Sequence, residues 1–233
     1  SLALPQNEET LKYLKILGVK RIKMFGNLKY FDQSSNFLDK NTKKKFRNRL
    51  IFCAASTHYN EELFIGKLHK ELKKKYKNLL TIIIPRHINR TSSIIHELEG
   101  IDLNITTRSS GQKISNNTDI YIADTYGETS KFYKLSKITF LGGSLINHGG
   151  QNPLEPARMG SYILHGPNIH NFKEVYKMLS KLNISSKANN INNMKKIINK
   201  KIRRKLPTKI IKKLNFIGND ILKKNLREIY KFL

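Results

Sequence analysis

ITFLGGSLINHGGQNPLEPARMGSYILHGPNIHNF, residues 138–172, carries the signals that decide the fold. Ile138–Leu141 is an apolar run of the kind that forms a strand buried on both faces, and it ends in Gly142-Gly143-Ser144. A second glycine pair, Gly149-Gly150, leads into Asn152-Pro153-Leu154-Glu155, a helix start. Asn152 suits the N-cap, Pro153 the first helical position and Glu155 the third, where a capping box closes. Gly160 stops a short helix, Tyr162–Leu164 is a further strand, and Gly166-Pro167 turns the chain. Two glycine-lined loops and a helix start thus fall at the carboxyl ends of strands, where open α/β sheets bind ligands. Exposed N–H groups there suit a phosphate. Ordinary turn chemistry accounts for the same glycines equally well.

Outward from this stretch, strands and helices alternate. Upstream, strands are expected at Leu50–Ala55, Leu79–Ile84, Leu103–Thr106 and Asp119–Ala123, with helices at Glu61–Tyr76, Ser92–Leu98 and up to Leu135. Near the start, Asn7–Leu17 reads as a short helix capped by Asn7 and stopped by Gly18, and Arg21–Phe25 as a further strand. Downstream, Phe172–Leu182 is helical, Asn183–Asn193 loop-like, and the remainder Lys-rich helix broken at Pro207. The repetition predicts an α/β fold: a Rossmann-like parallel sheet with helices on both faces. Residues 50–206 form that domain, 31–49 read as a linker, and 207–233 as a Lys-rich terminal helix.

Parallel topology delivers every strand's carboxyl end to one edge, so polar residues there become site candidates. Ser56, Thr57 and His58 follow the first strand, Arg86 and His87 the second, and Gly127 and Glu128 a later one. A guanidinium forks onto two phosphate oxygens, which suits Arg86. Glu128 and Glu155 suit hydrogen bonds to a ribose or base. Taken singly, Arg86 also reads as a solvated charge and Glu128 as a first-turn residue answering the helix dipole. His58 and His87 lack carboxylate or cysteine partners in metal-ligand spacing, so no metal and no cofactor is expected. No serine-nucleophile elbow appears.

The chain has 233 residues, a net charge of +27 and one cysteine, Cys53, inside an apolar run. Disulfides within the chain are excluded, and a reducing compartment is expected. No stretch has the length of a membrane span, and no signal-peptide pattern opens the chain. The charge admits three readings: compositional drift toward Lys, Asn and Ile, an anionic membrane surface, and nucleic acid, in that order. No zinc-finger spacing, RNA-binding aromatic motif or helix-turn-helix signature supports nucleic acid.

Taken together, Ala55-Ser56-Thr57-His58, Pro85-Arg86-His87, Asp124-Thr125-Tyr126-Gly127-Glu128, Gly142-Gly143-Ser144-Leu145, Gly149-Gly150-Gln151-Asn152-Pro153-Leu154-Glu155-Pro156 and Gly166-Pro167-Asn168 with Asn171-Phe172 resemble the Kdo transferases. These transfer 3-deoxy-D-manno-octulosonic acid (Kdo) from CMP-Kdo to the lipid A precursor in lipopolysaccharide assembly. The resemblance runs from about Asn7 to Leu182 and implies the carboxyl-terminal domain of a two-domain GT-B glycosyltransferase. On that resemblance residues 1–30 are the tail end of the amino-terminal domain. CMP is held by Pro85, Arg86, Tyr126, Gly127, Glu128, Asn152, Pro153, Leu154 and Glu155, with support from Ser56, Thr57, His58, His87, Gly143 and Ser144. The family's general base lies in the amino-terminal domain with the acceptor site. It is therefore expected to be absent here, leaving a fragment or split half that is inactive alone. The implied location is the cytoplasmic face of the bacterial inner membrane, as a peripheral protein on an anionic surface. Two positions depart from the family: Gln151 stands where histidine is common, and Tyr126 where methionine is. The alternatives are another GT-B nucleotide-sugar transferase, or a non-catalytic nucleotide- or membrane-binding module.

Overall fold

The computed structural model describes residues 2–31 and 38–231. The chain forms two compact units, one drawn from residues 36–207 and the other from residues 1–35 and 208–233.

The larger unit holds a seven-stranded sheet in the order β3-β4-β2-β1-β5-β6-β7, with every pairing parallel. In chain order it runs α2 (Lys40–Lys45), β1 (Leu50–Thr57), α3 (Glu61–Lys73), β2 (Leu79–Pro85), α4 (Thr91–Glu99), β3 (Ile105–Thr107) and β4 (Ile120–Ile122). It continues through α5 (Thr129–Leu135), β5 (Ile138–Leu141), α6 (Leu154–Arg158), β6 (Tyr162–His165), α7 (Lys173–Lys181), β7 (Ser185–Lys187) and α8 (Ile191–Lys201). The smaller unit holds α1 (Glu8–Ile16) and α9 (Thr208–Ile229).

Strand side chains alternate between two cores. Phe52, Ala54, Ile83, Ile122, Phe140 and Leu164 pack with Ile65, Leu68 and Leu72 of α3, Ile94 and Leu98 of α4, and Met194 and Ile198 of α8. On the opposite face, Tyr121 meets the rings of Phe46 and Phe132 at 5.6 and 6.0 Å, and His165 meets Tyr176 of α7 at 4.4 Å. Each fully buried leucine or isoleucine contributes about 1.5–3 kcal/mol. The Rossmann-like sheet with helices on both faces is therefore the fold. Cys53 is fully buried on β1, and burial pushes its thiol well up.

Local signals act as the sequence implies. The Asn7 Oδ1 accepts the Thr10 N–H at 2.8 Å, capping α1, and Asp39 caps α2 through the Thr42 N–H at 2.7 Å. Pro207 separates α8 from α9. Three details differ from the sequence reading. Arg21–Phe25 is no strand: Ile22 makes an isolated bridge to Ala3 and finds no ladder to extend. The stretch 183–193 is not simply a loop, since Ser185–Lys187 forms the edge strand β7. Its three polar residues lack the apolar pattern of a buried strand because only Ser185 is buried. The terminal helix α9 shares a compact unit with residues 1–35. Residues 32–37 of the expected linker lie outside the described residues.

Candidate functional site

The order of the strands reverses between β1 and β5: from β1 the chain moves outward to β2 and the edge strand β3, returns to β4 between them, then crosses to β5 on the other side of β1. This is the topological switch point, and the crevice above its carboxyl ends is the expected place for a ligand.

A β-bulge ends β1. The register with β2 shifts between Ala55 and Thr57, and Ser56 takes a left-handed φ of 54°. Such backbone costs about 1–3 kcal/mol and tends to accumulate at functional sites. The Gly142 N–H donates to the Ala55 carbonyl at 2.9 Å, laying the loop after β5 directly against this bulge. A Cβ on Gly142 would stand 2.3 Å from the Ser56 carbonyl oxygen and 2.6 Å from the Thr57 Cα, so a side chain is excluded there. Gly143 turns with φ +65°.

Beneath the crevice lies Glu61, 1% exposed, the first residue of α3. Its carboxylate accepts four backbone N–H groups: Gly143 at 2.7 Å, His58 and Leu145 at 3.0 Å, and Ser144 at 3.1 Å. Burial pushes this carboxyl up, against four donors that favour the ionised form. Glu61 thus ties the ends of β1 and β5 together. It also takes the Gly143 and Ser144 N–H groups that the sequence reading offered to a phosphate. Those two residues shape the loop and direct their N–H groups inward.

The remaining loops knit onto this core. The Gly150 N–H donates to the Gly143 carbonyl at 2.9 Å, joining the two glycine pairs. The Ser144 Oγ accepts the Gly166 N–H at 2.8 Å, and the Asn168 N–H reaches the Ser144 carbonyl at 2.9 Å. Asn171 donates through Nδ2 to the His148 carbonyl at 3.1 Å, and the Tyr176 hydroxyl to the Gln151 carbonyl at 3.0 Å. The Asn152 Oδ1 accepts the Leu154 N–H at 3.1 Å in a local turn, and α6 starts at Leu154, one residue later than read, with Pro153 rather than Asn152 at its N-cap. Leu154 is buried beside Pro153, while Glu155 is half-buried on the first turn.

At the end of β2, Pro85 is buried and Arg86 exposed, its N–H held by the Thr57 carbonyl at 3.0 Å. The side chains of His58, His87 and His148 converge here. The His58 ring lies 4.2 Å from His148 and 6.0 Å from His87, centroid to centroid. Burial, with His148, His87 and the arginines Arg86 and Arg90 nearby, holds His58 down at about 4. Sequence reasoning missed Glu61 and His148: one reads as an ordinary helix start, the other as a loop residue, and nothing local ties either to β1.

The Glu128 segment sits further along the edge, in the loop between β4 and α5, with β4 lying beyond β2. Tyr126 is 78% exposed, and Gly127 turns with φ +82°. Glu128 accepts from Arg108 Nε at 2.7 Å, Thr125 Oγ1 at 2.8 Å and Lys131 Nζ at 3.2 Å. Burial raises its carboxyl, but these donors more than offset that and hold it below the usual value. The sequence reading placed Glu128 as an open acceptor; in the fold it is already the centre of an ion-pair network. Strand spacing of about 4.8 Å puts the β4 and β5 ends about 14 Å apart, so these segments touch a shared ligand only at different parts of it. Among the described residues, no cluster of three His, Cys, Asp or Glu side chains has metal-binding geometry, and no helix is long and apolar enough to cross a membrane.

The chain is 35% identical over 174 residues to the 3-deoxy-D-manno-octulosonic acid transferase of Haemophilus influenzae, covering 73% of this chain and 40% of that protein. The Rickettsia prowazekii Kdo transferase is 29% identical over 98% of this chain and 51% of its own length. Among solved structures, the C-terminal CMP-Kdo binding domain of WaaA from Acinetobacter baumannii matches with a TM-score of 0.64 and 28% identity, covering 76% of this chain and 91% of that one. The fold is thus that of the carboxyl-terminal domain of a GT-B glycosyltransferase. The chain spans about half the length, or less, of these Kdo transferases. No protein-family model matches it.

Proposed function

We propose that this chain is the nucleotide-sugar half of a Kdo transferase and binds CMP-Kdo at the β1/β5 crevice. The observation that carries the reading is the exposed Arg86 guanidinium, which has no hydrogen bond or ion pair among the described residues and stands beside the switch point of a domain similar to a solved CMP-Kdo binding domain. Arg86 takes the phosphate and stabilises charge on the departing CMP. Pro85, Tyr126, Gly127, Asn152, Pro153, Leu154 and Glu155 line the nucleotide, and Glu128 contributes as a braced carboxylate. Ser56, Thr57, Gly143 and Ser144 shape the crevice floor. Isothermal titration tests this: CMP is expected to bind more tightly than UMP or GMP. Equal or tighter UMP binding would favour another GT-B nucleotide-sugar transferase.

The acceptor in this proposal is the lipid A precursor, presented at the cytoplasmic face of an inner membrane whose anionic surface attracts the +27 chain. The base that deprotonates its hydroxyl is placed outside these residues, because both carboxylates near the nucleotide are assigned to it. Purified chain mixed with CMP-Kdo and acceptor lipid in acidic vesicles is expected to sediment with them in a salt-sensitive way and to leave the lipid unglycosylated. Turnover by this chain alone, or equal sedimentation with neutral vesicles, would overturn it.

A further inference from the structure

The histidine cluster is unlike the rest of the polar edge. His58 is only 9% exposed, and its Nε2 is buried without a hydrogen-bond partner among the described residues. The neighbouring Thr57 Oγ1 is in the same condition. Burying a polar atom without a partner costs about 1–3 kcal/mol, so two side by side call for an explanation.

The space around them is shaped for imidazoles. A Cβ on Gly143 would stand 3.0 Å from the His148 Cδ2 and 3.4 Å from the His58 Nε2, so the missing side chain leaves room for both rings. His148 covers His58 at an interplanar angle of 43°, and His87 meets it edge-on at 82°. Two guanidiniums, Arg86 and Arg90, face the cluster from the turn after β2, and the rings of His87 and His148 close around His58 from that turn and from the loop after β5. The Glu61 carboxylate, which accepts the His58 N–H, is occupied by backbone N–H groups. Arg90 is itself neutralised by a fork onto Glu62 at 3.0 and 3.2 Å. A proton on His58 is therefore opposed by burial and by the nearby positive charge until an anion arrives.

We propose that His58, His87 and His148 form an anion subsite, separate from the phosphate contact of Arg86, that takes the carboxylate of the acid sugar and a solvent proton together. The inference rests on the nucleotide-sugar reading and narrows it: the sugar is an acid, and this edge recognises it as one. The anion stabilises an imidazolium that the empty cluster disfavours, so proton and sugar bind cooperatively. His58 stays neutral down to about pH 4 in the free chain. Ligand binding raises that value, so affinity grows as pH falls below the bound-state value, by up to about tenfold per pH unit for one proton.

The test titrates free 3-deoxy-D-manno-octulosonic acid into CMP-saturated chain between pH 7.5 and 5, with the uncharged methyl ester as control. The acid is expected to bind more tightly as pH falls, and the ester about tenfold more weakly than the acid with no pH trend. H148Q, at an exposed position that leaves folding intact, should lose most of the pH dependence and about tenfold in acid affinity while CMP affinity holds. H58Q should likewise lose the pH dependence and the acid affinity, with its unfolding midpoint recorded alongside. Ester binding equal to acid binding, a flat pH profile, or an H148Q variant that weakens CMP relative to cytidine would each overturn the carboxylate subsite. A parallel titration without CMP separates the two readings. Acid binding that persists where CMP fails to bind would sink the nucleotide assignment and leave the subsite standing.

Discussion

The two edges of the sheet handle polar groups in opposite ways. At the amino-terminal edge, around the entries of β1, β2 and β4, buried polar and charged side chains pair with protein partners. Arg49 donates to the carbonyls of Asn78, Leu79, Ser115 and Thr118 at 2.5–3.2 Å, fastening the entries of β1, β2 and β4. His69, fully buried on α3, pairs its Nδ1 with the Thr81 hydroxyl at 2.8 Å and its Nε2 with Asp119 at 3.4 Å. Asp119 also accepts from Lys73 at 2.7 Å and from the Asn104 N–H at 3.1 Å. Although burial opposes ionisation, these donors hold the Asp119 carboxyl far below its usual value. At the carboxyl-terminal edge, Thr57 and His58 carry buried unpartnered atoms, Ser56 sits in left-handed backbone, and the Arg86 guanidinium projects unpaired. A saturated network stabilises the fold; an unsaturated one leaves interaction energy for a ligand.

The largest expected effect breaks the saturated edge. Asp119→Ala strands Lys73 and His69 in partly or fully buried positions, and should cost about 3 kcal/mol in chemical denaturation. CMP affinity of the folded variant should be unchanged. A loss below about 1 kcal/mol, or weakened CMP binding, would show that the two edges do not divide their roles in this way.

The complementary test sits at the open edge and is smaller. Arg86→Ala should leave unfolding free energy within about 0.5 kcal/mol, as for a surface substitution without partners. It should weaken CMP by about 1.5–3 kcal/mol, roughly ten- to a hundredfold, and cytidine hardly at all. Equal losses for CMP and cytidine, or a marked drop in stability, would make Arg86 a structural residue.

Much of this was legible in the residues. Leu50–Thr57, Leu79–Pro85 and Ile138–Leu141 are strands because their apolar runs suit a sheet covered on both faces, and the glycine and proline punctuation marks where each ends. The edge strand Ser185–Lys187 was not legible, since a short polar strand draws its hydrogen bonds from β6 and carries no pattern of its own. Arg86 was legible as an exposed strand-end guanidinium, because its place after β2 is set locally. Glu128 was legible in place but not in state, as its partner Arg108 arrives from the loop after β3.

By itself, then, the sequence determined the α/β alternation, the edge on which the candidate residues gather and the resemblance to Kdo transferases, all properties of local pattern and order. The tertiary structure decided which groups are spent and which remain open. Glu61 reads as one more acidic residue in a helix's first turn until folding brings the Gly143 and Ser144 N–H groups onto it, which removes them from any ligand. His58 and His148 become one cluster only because β5 lies beside β1 and Gly143 has no side chain to keep the rings apart. Burial and pairing are properties of neighbours in space, and a linear pattern of residue types holds no record of which distant segment will satisfy a given polar atom.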